Sequence, residues 1–170
     1  MRVLIIATGG TFDRKYDPLY KKEGEALIFS KTYISEMLRR ARVLVPTRIL
    51  SPLTSLKTSP HITKKDREQI ASVCKKATEK CIVITHGTDT IIETARYLEE
   101  RAPDKTIVLT GAMIPYSMKN SDAFFNFGCA VTAAQILPAG AYIAMNGKIF
   151  PCSRVRKNFK RGIFEDFEEK

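Results

Sequence analysis

The chain has 170 residues, 44% hydrophobic and 27% charged, which fits a single globular domain over 1–170 and excludes a disordered segment. No apolar run approaches the ~20 residues of a membrane helix, and "VLIIA" is shorter than a signal-peptide core of about 7–15 residues, so a cytoplasmic location is expected. The net charge of +10 is scattered over short basic groups without a nucleic-acid-binding signature, which favours a solvated basic surface, or steering of small anions, over a nucleic-acid partner.

In chain order, "RVLIIA" (Arg2–Ala7) reads as a buried strand. A polar, tyrosine-bearing loop is expected through about Glu25. "SKTYISEMLRRA" places Ile34, Met37, Leu38 and Ala41 at helical spacing. "VLVPTRIL" is strand-like, with Pro46 marking an edge or a break. Thr63 is a good N-cap with Asp66 three residues on, and Ile70, Val73, Cys74 and Ala77 form one apolar helix face.

"CIVIT" (Cys81–Thr85) is the next strand, followed by the helix "TIIETARYLEERA", where Thr90 and Glu93 have capping-box spacing. "KTIVLTGAM" is a strand running into glycine. "SDAFFNFGCAVTAAQIL" reads as an apolar helix starting near Ser121. "AYIAMNGKIFP" is a hairpin signal centred on Asn146-Gly147. Beyond Cys152 the tail is basic, then acidic.

This alternation predicts an α/β domain: a mostly parallel, Rossmann-like sheet with helices on both faces and a C-terminal hairpin-like segment. Four cysteines without a C-x-x-C pair, and only two histidines, give a metal site little support. The cysteines read as reduced, with Cys74 and Cys129 in the core.

Three segments rich in hydroxyls or glycine end predicted strands: "TGGTFD" at Thr8–Asp13, "THGTDT" at Thr85–Thr90 and "TGAM" at Thr110–Met113. Ligands bind beyond the carboxyl ends of such strands, so all three can line one crevice. Neither G-x-G-x-x-G nor a P-loop is present. Each run taken singly fits a tight turn or a helix cap. Taken together they suggest threonine chemistry, because a threonine nucleophile needs a base and an oxyanion site. Thr88 and Asp89 precede a helix start that favours bound anions, and Asp89 is also suited to a substrate ammonium. His86 reads as orienting its turn. A lysine base would need its pKa lowered by desolvation, and Lys157 is one candidate among many lysines.

At this point the chain resembles the bacterial-type L-asparaginase family. The resemblance rests on "ATGGTF" at Ala7–Phe12, "ITHGTDT" at Ile84–Thr90 and "GAMIPYS" at Gly111–Ser117, with "AMNGKI" and "RVRKN" following in order. It implies an amidohydrolase that converts L-asparagine to L-aspartate and ammonia, with no metal or cofactor. Thr11 matches the nucleophile that forms an acyl-enzyme. Thr88, Asp89 and Lys157 match the second triad, in which lysine and threonine relay protons and the aspartate holds the substrate's α-amino group. Tyr16, or alternatively Tyr20, matches the loop tyrosine that helps activate the nucleophile. Ser59 matches the serine that binds the α-carboxylate, and the Ala112 amide contacts the leaving group. Gly10 and Gly87 let backbone donors approach the substrate.

The chain departs from the pattern after Ser59, where Pro60 and His61 stand in place of an amide or acidic residue. The match covers only the N-terminal domain of longer members, as in short single-domain forms, and implies a homodimer or higher homo-oligomer. Two other classes compete: a non-catalytic amino-acid-binding regulator on the same scaffold, and an amidotransferase component acting on charged tRNA.

Overall fold

The run VLIIA has no polar residue in five positions, and all five side chains are buried in strand β1 (Val3–Ala7). A strand apolar on both faces belongs inside a parallel sheet that is covered on both sides. That is its place in the computed structural model, which describes residues 1–17, 19, 27–29 and 31–167.

After β1 come a 3-10 turn (Thr11–Asp13), β2 (Arg14–Tyr16), β3 (Leu27–Phe29), α1 (Ile34–Arg40) and β4 (Thr47–Leu50). A second 3-10 turn (Ser59–His61) leads into α2 (Lys64–Lys76), β5 (Cys81–Thr85), α3 (Ile91–Arg101), β6 (Thr106–Thr110) and α4 (Ala123–Ile136). The chain continues through β7 (Gly140–Met145), β8 (Lys148–Pro151), a 3-10 turn (Cys152–Arg154), β9 (Val155–Asn158) and β10 (Ile163–Asp166).

The main sheet has the order β4-β1-β5-β6-β7-β8. Its pairs are parallel except the last, where β8 returns antiparallel on β7. Asn146 and Gly147 make that turn with φ of 52° and 79°, the left-handed pair that a tight hairpin needs. Helices α1 and α4 pack on one face, α2 and α3 on the other. The expected architecture is therefore present.

From β1 the chain steps to β4 on one side, then crosses back past β1 to β5. The strand order thus reverses between β1 and β5, the place where open α/β sheets bind ligands. The steps β5 to β6 and β6 to β7 run in the same direction, but α3 and α4 lie on opposite faces. The crossover through α4 therefore has the opposite hand to the other three, against the right-handed rule.

Local expectations meet the structure unevenly. Thr63 caps α2 in full: its Oγ1 accepts from Asp66 N at 3.2 Å, and Asp66 Oδ2 accepts from Thr63 N at 2.8 Å. The corresponding box at Thr90 and Glu93 does not form. The Thr90 hydroxyl donates instead to Ser59 O at 2.9 Å, and Glu93 pairs with Arg67 at 2.8 Å. The loop expected through about Glu25 contains β2, whose antiparallel partner β3 follows just beyond it. Pro46 sits just before β4, an edge strand shorter than the apolar run that predicted it. Cys74 is in the core as expected. Cys129 is only half-buried, because it faces outward on α4, while Cys81 and Cys152 are buried. The tail forms a separate two-stranded sheet, β9–β10, anchored by Phe164 in the α2/α3 core.

Candidate active site

Two glycine turns meet at the β1/β5 reversal. Gly10 has φ +77°, and a Cβ there would lie 2.4 Å from Gly87 N. At Gly87 a Cβ would lie 2.6 Å from Ser59 Cβ. Backbone therefore packs directly on backbone, and no side chain fits between the two runs. The contact places Thr11, at the start of the first 3-10 turn, in one cleft with Thr88 and Asp89.

His86 holds the second turn from behind. It is fully buried, and desolvation pushes its pKa down to about 4, so the ring is neutral at pH 7. Gly87 O can only accept, so the proton sits on Nδ1 (2.8 Å) and Nε2 accepts from the Thr94 hydroxyl at 3.0 Å. Arg67 Nε in turn donates to Thr94 Oγ1 at 3.0 Å. His86 thus orients the turn and does not line the cleft.

Ser59 and Asp89 are cross-linked. The Asp89 N–H donates to Ser59 Oγ at 3.1 Å, which leaves the serine its own proton to donate. Ser59 is buried, while the Asp89 side chain is half-exposed. From the β9–β10 sheet, Lys157 Nζ donates to Thr88 Oγ1 at 2.7 Å and to Asp89 Oδ1 at 2.5 Å. The lysine head is thus held between the two residues that end the β5 run.

Gly10, Thr11, Ser59, Gly87, Thr88 and Asp89 line a single cleft of about 300 Å³. Lys157 joins them through Thr88 and Asp89. Ala112, predicted to offer its backbone amide, packs its side chain in the α1/α4 core and lies between Gly111 and Met113, which both adjoin Thr88. One predicted residue stands apart. Tyr16 ends β2 with 59% of its surface exposed and does not line the cleft. The alternative, Tyr20, lies outside the described residues.

Sequence reasoning missed Arg14 and Thr58, which also line the cleft. No local motif marks either one. It also passed over Asp13, which is fully buried in the same turn as Thr11 and accepts from Tyr33 N at 3.0 Å. Desolvation pushes its carboxyl pKa up to about 6. Among the described residues, no group of three or more His, Cys, Asp or Glu could hold a metal ion, and no helix is long and apolar enough to cross a membrane.

A family model described as "Asparaginase, N-terminal" matches residues 2–167. The chain belongs to the asparaginase family. It is 33% identical to an L-asparaginase from Thermococcus kodakarensis over 96% of this chain and 49% of that protein. A glutaminase-asparaginase from Acinetobacter glutaminasificans is 31% identical over 91% and 49%. The solved thermostable L-asparaginase of Thermococcus kodakarensis superposes with a TM-score of 0.73 at 29% identity, covering 98% of this chain and 51% of that one. A probable cytoplasmic L-asparaginase from Campylobacter jejuni gives a TM-score of 0.78 at 25% identity, covering 97% and 52%. The chain spans about half the length of these relatives.

Proposed function

We propose that the protein is an amidohydrolase that releases ammonia from the side-chain amide of L-asparagine through an acyl-threonine. The observation that carries this is the convergence of Thr11 with Thr88, Asp89 and Lys157 at the β1/β5 reversal. In the first half-reaction, Thr11 Oγ bonds to the amide carbon. The threonine proton passes through Thr88 and Lys157 to the amide nitrogen, the C–N bond breaks and ammonia leaves. In the second, water attacks the ester, its proton restores the Thr11 hydroxyl, and aspartate departs. Asp89 takes the substrate's α-ammonium, and Ser59 donates to the carboxyl end. The chemistry needs no metal or cofactor.

Ammonia release from L-asparagine and L-glutamine, measured side by side, tests the reading. Thr11→Ala should lower kcat/KM roughly 10³-fold or more. Full activity in Thr11→Ala would overturn it, and binding of asparagine without ammonia release would favour the regulator instead.

The same reading includes a homodimer. Helix α4 carries no charged residue on a chain of net charge +10. Its outer face exposes Phe125 (60%) and Ile136 (76%). A second copy meeting this uncharged face, helix against helix, would cover it without bringing the basic surfaces together. Light scattering should report a dimer that Phe125→Glu dissociates. A cytoplasmic location fits four free cysteines and the probable cytoplasmic relative.

A further inference from the structure

Four groups form a line from helix α2 to the wall of the cleft: Arg67 on α2, Thr94 on α3, His86 just past β5, and the Gly87 carbonyl. Thr94 and His86 are fully buried, and the Arg67 side chain is only 14% exposed. The two ends of the line set the direction of every proton in it. Arg67 can only donate, so Thr94 Oγ1 accepts from its Nε at 3.0 Å. The Thr94 proton is then left for His86 Nε2, also 3.0 Å away. At the other end Gly87 O can only accept, so the ring carries its proton on Nδ1, 2.8 Å from that oxygen. The opposite tautomer would set a lone pair against Gly87 O and leave the Thr94 proton without its acceptor.

We propose that Arg67 and Thr94 are positioning residues for the reaction: by holding His86 in one tautomer they aim the Gly87–Thr88 peptide of the cleft wall. This rests on the amidohydrolase reading above and concerns the same site. The peptide is trans, so its N–H points opposite to its C=O. Gly87 O is drawn back to His86, which does not line the cleft, whereas Gly87 and Thr88 do. The Thr88 N–H is thereby turned towards the cleft, where it can meet the charge that builds on the amide oxygen as Thr11 attacks. The same setting of the backbone decides where Thr88 Oγ1 meets Lys157 Nζ. Glu93 holds the far side of the Arg67 guanidinium at 2.8 Å and keeps it facing α3. Neither Arg67 nor Thr94 lines the cleft, so their effect falls on turnover more than on substrate binding.

The chain has two histidines, His61 and His86. Nitrogen NMR of histidine-labelled protein therefore shows two rings, and His61→Gln identifies which one is His86. At pH 7 the wild-type His86 ring should carry its proton on Nδ1 and accept on Nε2. Thr94→Val keeps the shape but removes the donor. The Nε2–H form should then appear, and kcat for L-asparagine should fall about tenfold or more with KM within about threefold. Thr94→Ser, which keeps the hydroxyl, should restore the single ring form and kcat. Arg67→Met frees the Thr94 hydroxyl to turn and should fall between the two. A wild-type ring protonated on Nε2 overturns the proposal. So does unchanged ring form or unchanged kcat in Thr94→Val, unchanged kcat in Arg67→Met, or a Thr94→Ser protein as impaired as Thr94→Val. The wild-type spectrum needs no altered side chain in the line, so a variant that fails to fold leaves the test intact. These results leave the hydrolase standing, whereas no ammonia from the wild-type protein overturns both.

Discussion

Gly10 and Gly87 touch through their backbones, so that a single added methyl group at Gly10 would overlap Gly87 N at 2.4 Å. The contact sets the spacing between the two threonine runs. Gly10→Ala should therefore separate Thr11 from Thr88 and also strain a backbone at φ +77°. We expect kcat/KM to fall about 100-fold and the melting temperature to drop, since ~1 Å misplacement at a reacting centre has this order of effect. Ammonia release and calorimetry on the same preparation check both.

Lys157 sits against Thr88 with its side chain largely buried, whereas its partner Asp89 is 47% exposed. A half-exposed ion pair contributes little to stability, about 0–1 kcal/mol. Lys157→Met should therefore unfold close to the wild-type denaturant midpoint while losing ~10²–10⁴-fold in kcat/KM, the range for a proton-transfer group. Unchanged turnover would remove the lysine from the mechanism.

His86 and Asp13 give stability two opposed pH limbs. The fold holds His86 neutral down to about pH 4, against 6.5 when unfolded. Its contribution is full above pH 6.5 and is lost as pH falls towards 4, by up to about 3 kcal/mol. The fold holds Asp13 protonated up to about pH 6, against 3.8 when unfolded, so its contribution is full below 3.8 and is lost as pH rises through 6. Urea midpoints across pH 4–8 should therefore show His86→Gln flattening the acid limb. Asp13→Asn should gain at pH 8 relative to wild type, more than at pH 5.

Thiol titration offers a simple check on packing. Cys74, Cys81 and Cys152 are buried, and desolvation pushes Cys74 and Cys152 up to about 12. Cys129 is half-buried on the outer side of α4. One thiol should react with a chromogenic disulfide in the monomeric Phe125→Glu protein, and four in denaturant. Loss of the native reaction on dimerisation would place Cys129 under the second copy.

Much of the frame was legible because β1, β5 and β6 are fully buried runs with apolar centres and Asn146-Gly147 has one natural turn. The Thr63 cap was legible because both halves of it are local. Thr90 was misread for the complementary reason: its hydroxyl has a better partner 31 residues away in Ser59. The pairs β2–β3 and β9–β10 are three or four residues long and depend on what they pack against, so no periodicity announces them. The site threonines were visible as paired runs. Arg14 was not, since a single arginine after a turn looks like any solvated one until β2 turns it into the cleft.

The β9–β10 sheet has a consequence for the newly made chain. Thr11 leaves the ribosome early, and the six strands of the main sheet can pair before residue 155 has been added. The lysine arrives afterwards, on a hairpin that docks through Phe164. A nascent chain would therefore carry a formed cleft whose Thr88 and Asp89 wait for their lysine until the last hairpin has docked.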